Sequence, residues 1–276
     1  MYLKKCYKQY VINYSKMHGA GNDFVIIDDR SLLFNTSNRS LIKKICNRSD
    51  GLGSDGLILL QKSDLADIRM RFFNCDGSEA SMCGNGARCI SIFAQDLKII
   101  DSKIRIETNI GCFNATISGN EVCLELFKWN NEFINGFNFK GREYDILNTG
   151  VPHVVTWLDN LEEFNSIDIN KLGTSIRTNE FFAPDGTNVN IAWINNIGVI
   201  FLRTYERGVE SETLSCGTGS LAAARVAVLK GLASFPVKVK CKSGDILVVD
   251  NNNGYAILTG NTIEMDRGVL DYGNWL

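Results

Sequence analysis

The sequence predicts an α+β protein of two similar, pseudo-symmetric halves, each made of short strands, a Cys-Gly turn, one prominent helix and further strands. Three observations carry this expectation. A cysteine set against a glycine-rich turn occurs twice, as Met82-Cys83-Gly84-Asn85-Gly86-Ala87-Arg88 and as Ser215-Cys216-Gly217-Thr218-Gly219-Ser220. Each cysteine stands four residues after a Ser-Glu pair, Ser78-Glu79 in one case and Ser211-Glu212 in the other. The run Gly186-Thr187-Asn188-Val189-Asn190-Ile191 repeats the turn-to-strand pattern of Gly21-Asn22-Asp23-Phe24-Val25-Ile26.

Residues 1 to about 13 are basic and aromatic without clear periodicity and read as an extension or edge segment. Lys16 to Asp23 is a Gly-punctuated turn leading into the β-branched run Phe24 to Asp28, and Asn22 in that turn is a candidate for facing a ligand. Ser40 to Cys46 has Leu41, Ile42 and Ile45 at helical spacing. The loop Asp50-Gly51-Leu52-Gly53-Ser54-Asp55-Gly56 is glycine-rich, but it leads into the strand 57–60 and carries no Gly-Lys-Ser/Thr, which argues against a phosphate loop. Ile68 to Phe73 alternates as a half-buried strand and delivers the chain to the turn Asn74 to Glu79. A helix from about Asn85 to Leu97 follows the first cysteine, and strand-like runs at 104–107, 113–118 and 122–126 have the rhythm of antiparallel sheet. A first domain, 1–127, ends there.

The second domain, 128–276, opens on polar, Asn-rich sequence and reaches Asn148-Thr149-Gly150-Val151-Pro152-His153, a turn whose histidine leads a strand. A short helix within 161–172 and strands at about 187–194 and 199–205 come next, the last carrying Glu206-Arg207-Gly208 into the second cysteine turn. Residues 220–229 read as a helix, followed by strands near 237–241, 246–249 and 255–259.

Composition removes several classes of function. Lys and Arg number 29 against 31 Asp and Glu, for a net charge of −2, so no basic field offers itself to nucleic acid. No apolar run approaches the roughly 20 residues that span a bilayer, and no signal peptide is evident, which points to a soluble cytoplasmic protein without a membrane partner. Nine cysteines, an odd number in a long chain, are read as reduced thiols.

A thiol does chemistry as its thiolate, and a helix N-terminus offers unpaired N–H donors and partial positive charge to an anion. Cys83 and Cys216 both sit at that position, and the glycines after them let backbone amides approach a carboxylate. Two such thiols acting on opposite faces of one carbon would invert its configuration: one removes the proton and the other returns one. No cofactor motif is present, so the developing charge must be met by hydrogen bonds to an adjacent carboxylate. His153, held at a strand entry by Pro152, is a candidate for facing a cleft, Glu206 for tuning a thiol or binding an amine, and Arg207 for clamping a carboxylate. A zinc site from Cys75, Cys83 and Cys89 and a redox role for the thiols are the competing readings, disfavoured by ligand spacing and by the absence of a C-x-x-C motif.

The chain resembles the diaminopimelate epimerase family over nearly its whole length, through KMHGAGNDFVIID (16–28), GLGSDGLILL (51–60), FFNCDGSEASMCGNGARC (72–89), NTGVPHVV (148–155), TNVNIAWI (187–194) and YERGVESETLSCGTGS (205–220). The resemblance implies a curled β-sheet or barrel around a central helix in each half, with the active site between the halves. The last segment, 262–276, is then expected to cross back onto the first. It implies a cofactor-independent, metal-free isomerase that converts L,L-2,6-diaminopimelate to the meso form on the route to lysine and peptidoglycan, and a homodimer. By the same resemblance Cys83 and Cys216 become acid and base; Asn22, Asn74, Asn190, Glu206 and Arg207 hold the distal head of the substrate; Gly84, Asn85, Gly217 and Thr218 serve the reacting carboxylate; and His153 and Glu206 lie close to the reacting centre, influencing the thiols. Some members carry Gln where this chain has Gly56 and Asn where it has Val151, and the loop 208–213 is one residue longer than the common form. A related two-thiol racemase of the proline type is the enzyme alternative, and it has no use for residues that bind a second amino-acid head.

Overall fold

A computed structural model describes residues 11–129 and 132–271. In chain order it contains β1 (Val11–Gly19), β2 (Asn22–Asp28), α1 (Arg39–Cys46), β3 (Gly56–Gln61), β4 (Ile68–Asn74), β5 (Glu79–Ala80), α2 (Gly84–Asp96), β6 (Lys103–Thr108), β7 (Gly111–Ser118) and β8 (Glu121–Lys128). There follow β9 (Phe133–Phe139), β10 (Arg142–Asn148), β11 (Pro152–Trp157), α3 (Leu161–Ser166), α4 (Ile169–Arg177), β12 (Asn188–Ile194), β13 (Ile200–Glu206), β14 (Ser211–Thr213), α5 (Gly217–Leu229), β15 (Val237–Lys240), β16 (Ile246–Asn252) and β17 (Tyr255–Asp271). The chain divides into two units. One runs to Val122 and takes in the chain from Thr262 onward; the other is Cys123–Asn261.

The two units share one wiring. In the first, β1–β2 is antiparallel, β2–β3 parallel, β3–β4 antiparallel, β4–β6 parallel and β6–β7 antiparallel, with β5 hairpinned onto β4. In the second, β10–β11, β11–β12, β12–β13, β13–β15 and β15–β16 repeat that sequence of senses, with β14 hairpinned onto β13. Parallel neighbours need crossovers. The first crossover of each unit carries the outer helices, α1 or α3 with α4, and the second carries α2 or α5.

These second helices lie inside the curl of each sheet, because α2 packs on β1, β2, β3, β4 and β7, and α5 on β10 to β13, β15 and β16. Their sequences suit that place. Every residue from Asn85 to Ala94 is buried, and α5 is built from Leu, Val and Ala on all sides, the pattern of a helix enclosed by protein. Leu57 and Leu59 of β3 face α1 with Leu41, Ile42 and Ile45, whereas Ile58 faces α2. With both faces covered, all six residues of β3 are buried.

Some expectations change. Of the expected extension or edge segment, residues 11–13 begin β1 and pair on one side only, with Val269–Asp271 of β17, since pairing with β2 starts at Tyr14; residues 1–10 lie outside the described residues. The Asn-rich opening of the second half contains β9 and β10; β9 is mostly exposed, so it lacks the apolar alternation that announces a strand. The helical stretch at 161–172 is two helices, parted where Ile167 turns extended and Asp168 caps α4 by accepting Lys171 N–H at 3.0 Å. The last strand runs to Asp271 because β1 pairs with its second part.

Candidate active site

Asn38, Asn160 and Asp168 cap their helices with side-chain oxygens. The N-cap residues of α2 and α5 are Cys83 and Cys216, in extended conformation and without a side-chain capping bond. The Cys216 thiol lies 3.4 Å from Thr218 Oγ1 in the first turn of α5. The first intrahelical bonds come from Ala87 N–H to Cys83 O and Ser220 N–H to Cys216 O, so the amides of Gly84 and Asn85, and of Gly217 and Thr218, are first-turn donors without helical acceptors. The second glycine of each turn permits close packing: a Cβ on Gly86 would stand 2.7 Å from Ile58 Cδ1, and one on Gly219 2.6 Å from Asn190 Oδ1.

In the first unit, Cys83 Sγ donates to Asn22 Oδ1 at 3.7 Å, and the same oxygen accepts Asn85 Nδ2 at 3.3 Å. Asn22 in turn gives its Nδ2 to Asp55 Oδ2 at 2.6 Å. Asp55 shares Arg48 with the buried Asp23; burial pushes the Asp23 carboxyl up, and Arg48 outweighs it to leave the group below its usual range. Asn85 Oδ1 accepts Arg88 Nη2 at 2.7 Å, placing that fully buried arginine behind the turn. Asn74, at the end of β4, bonds Ser78 Oγ at 3.1 Å and makes no hydrogen bond to this group. Gly56 pairs with Asn74, and a Cβ there would meet Phe72 Cε2 at 2.5 Å and Phe73 O at 2.6 Å, so this chain has no room for a longer side chain at that position.

In the second unit, His153, Asn188 and Asn190 form a buried set. Asn190 Nδ2 lies 3.0 Å from His153 Nδ1 and 2.8 Å from Val154 O, and Asn190 Oδ1 accepts Thr204 Oγ1 at 2.9 Å. The Asn190 amide is thus committed to the protein on both sides. An amide N–H facing Nδ1 makes that nitrogen the acceptor of a neutral ring, and burial, then the Arg207 cation, pushes the His153 pKa down to about 3. Asn188 gives Nδ2 to Pro152 O and accepts Arg207 N–H at 2.8 Å. The Arg207 guanidinium gives one N–H to Asp185 O at 3.3 Å, and a guanidinium has five to offer.

Glu206 closes this half of the site. Thr213 Oγ1 donates to its carboxylate at 3.1 Å, and Cys216 hydrogen-bonds to it as well. Burial raises the Glu206 carboxyl above its usual range. Burial, reinforced by Glu206, also drives the Cys216 thiol well above its usual value, against the lowering effect of Thr218 Oγ1, 3.4 Å away, and of the Gly219 amide. Desolvation therefore overrides the helix terminus at Cys216, contrary to the expectation of a thiolate favoured there.

Within each unit, the candidates on the cysteine turn meet a polar partner from the sheet: Asn22 at Cys83, Glu206 at Cys216. Sequence reasoning missed Asp55, Asn188, Thr204 and Thr213. Asp55 sits in a glycine-rich loop without a recognisable motif, and the others look like ordinary strand residues. The eight described cysteines are free thiols, and Cys75, Cys83 and Cys89 do not come together as ligands: among the described residues no three His, Cys, Asp or Glu side chains do. No helix among them is long and apolar enough to cross a membrane.

The family model for diaminopimelate epimerase matches residues 14–124 and 146–266. The chain belongs to the diaminopimelate epimerase family. It is 41% identical over 271 residues to the diaminopimelate epimerase of Aquifex aeolicus, covering 92% of this chain and 96% of that one. The diaminopimelate epimerase of Archaeoglobus fulgidus is 39% identical over 276 residues, with 94% and 96% coverage. Among solved structures, a phenazine biosynthesis protein of the PhzF family from Bacillus anthracis superposes with TM-score 0.74 at 15% identity, covering 95% of this chain and 99% of its own. A hydroxyproline epimerase from Agrobacterium vitis, with bound trans-4-hydroxy-L-proline, superposes at 0.69 and 15%, with 96% and 93% coverage. At such identities these structures speak for the fold. Membership in the family makes the protein an isomerase, an epimerase of diaminopimelate.

Proposed function

We propose that the protein inverts one α-carbon of L,L-2,6-diaminopimelate to give the meso isomer, without a cofactor, using Cys83 and Cys216 as the acid and base. The observation that carries this reading is the repeated placement of an uncapped cysteine at the N-terminus of the enclosed helix in each unit. The base takes the α-proton and the C–H electron pair stays on carbon, delocalised into the carboxylate. The other thiol then gives its S–H proton to the opposite face. Charges balance: one thiolate and one thiol enter, and they leave with roles exchanged.

The partners suit these roles. Asn22 presents a carbonyl oxygen to Cys83, an acceptor for S–H. Cys216 and Glu206, both pushed toward their protonated forms by burial, share a hydrogen bond along which a proton can pass. First-turn amides at Gly84, Asn85, Gly217 and Thr218 meet the growing charge on the carboxylate. Arg207 and Asn74 are assigned to the distal head, with Asn190 acting through His153 unless it releases one of its present partners. The substrate is a free amino acid, the working assembly a homodimer, the place the cytoplasm and the product a precursor of lysine.

The test is incubation of reduced protein with L,L-diaminopimelate in deuterated water, following inversion and deuterium at the α-carbon. Both should appear together, and absence of both sinks the reading. Turnover of proline or hydroxyproline in place of diaminopimelate would favour the proline-type alternative.

A further inference from the structure

The duplicated frame has a constant part that the reaction leaves unused: the glutamate four residues before each cysteine. Glu79 on β5 stands opposite Phe73 of β4 and accepts Arg71 Nε and Nη2, each at 2.8 Å. Glu212 on β14 stands opposite Tyr205 of β13 and accepts Arg203 Nε and Nη2 at 2.6 and 3.1 Å. In both hairpins the arginine lies two residues before the strand residue that faces the glutamate, so the charged groups share one face. In both, the strand ends one residue later, at Asn74 and at Glu206.

β5 and β14 contain only two and three residues, too few for ladder bonds alone to hold a hairpin. A bidentate fork supplies orientation as well as attraction. Each arginine also reaches back into the body of its unit, Arg203 to Phe164 O at 2.9 Å and Ile167 O at 3.1 Å, Arg71 to Thr36 Oγ1 at 3.4 Å. The two connections differ in length only before the glutamate. From the strand end to the glutamate there are five residue steps in the first unit and six in the second, whereas glutamate to cysteine is four in both. The extra residue of the loop 208–213 is absorbed upstream of the pair, and the thiol keeps its register.

We propose that Arg71–Glu79 and Arg203–Glu212 are positioning pairs, each fixing the segment that presents the cysteine of its own unit. The inference rests on the reading of Cys83 and Cys216 as acid and base, and it names residues outside those assigned to substrate binding or proton transfer.

The experiment uses the full chain with Glu79→Gln and Glu212→Gln and has two readouts. In deuterium-exchange epimerisation, kcat should fall about ten- to a hundredfold while KM moves less than about threefold. In alkylation by iodoacetamide without substrate, followed by peptide mass analysis, Glu79→Gln should change the rate at Cys83 alone and Glu212→Gln at Cys216 alone. The double exchange Arg71→Glu with Glu79→Arg should recover part of the lost kcat, and Arg71→Lys, which keeps charge but not the fork, should lose kcat as Glu79→Gln does. Should a glutamine variant fail to fold, Glu79→Asp and Glu212→Asp shorten the reach and are judged by the same readouts. Unchanged kcat in folded variants, or equal changes at both thiols in each variant, overturns the proposal. Because alkylation needs no turnover, a wild-type protein inactive on diaminopimelate but showing the paired alkylation pattern would refute the function and leave the positioning pairs standing.

Discussion

Asp55 accepts the Asn22 side-chain N–H at 2.6 Å, and this decides which end of the Asn22 amide meets the Cys83 thiol. A carboxylate can only accept, so the NH2 group must point to Asp55 and the carbonyl oxygen to sulfur. Replacing Asp55 with Ala frees the amide to turn. The expected result is a loss of about tenfold or more in kcat with little change in melting temperature, since the Asp55 side chain is 43% exposed and Asp23 retains Arg48. Full activity in a folded Asp55→Ala protein ends this account of Asn22.

At Cys216 the neighbouring carboxylate works on the thiol. Glu206 is one cause of its raised pKa, after burial. Removing the negative charge by Glu206→Gln should shift the pH profile of Cys216 alkylation to lower pH while epimerisation falls. The Cys83 profile serves as the internal reference.

His153 ties stability to pH. Its folded pKa, about 3, lies below the usual 6.5, so the unfolded chain binds a proton that the folded one does not. This contribution is full above about pH 6.5 and is lost as pH falls toward 3, at up to about 1.4 kcal/mol per unit. Urea unfolding between pH 5 and 7 should show that slope, offset in part by the raised Glu206 carboxyl, whose contribution has the opposite sign and is shared by wild type and His153 variant alike. His153→Gln should flatten it by one proton, and an unchanged slope would remove His153 as its source.

The two turn glycines should respond unequally to a methyl group. At Gly86 it meets the end of the Ile58 side chain, which can shift. At Gly219 it meets Asn190 Oδ1, pinned by Thr204, in the set that holds His153. Gly219→Ala should cost about 1–3 kcal/mol and Gly86→Ala less, measured by denaturant unfolding. The reverse order would mean that the Asn190 set is the softer of the two.

Much of this protein was legible in order of sequence. The enclosure of α5 follows from its Leu, Val and Ala content, and the buried strands from runs such as Gly56–Gln61, whereas α2 carries the buried polar residues Asn85, Arg88 and Ser91. What escaped has a common cause. β9 and the start of β1 carry weak patterns, and β1 becomes a strand only through neighbours drawn from residues 22–27 and 262–271. Asp55, Asn188 and Thr213 have no motif of their own, and their roles exist only through the side chains they orient.

The duplicated Ser-Glu-x-x-x-Cys-Gly-x-Gly frame, the helix behind each cysteine and the family are set by residue type and spacing along the chain, because these are local matters. Which atom each thiol meets, the use of Asn190 by His153 and Thr204, and the upward push of burial on the Cys216 thiol arise only from tertiary packing. Those outcomes depend on partners far apart in the chain, as Asn22 and Cys83 are, separated by 61 residues. Desolvation and hydrogen-bond direction take their values only when the packed sheet and helix bring such groups together.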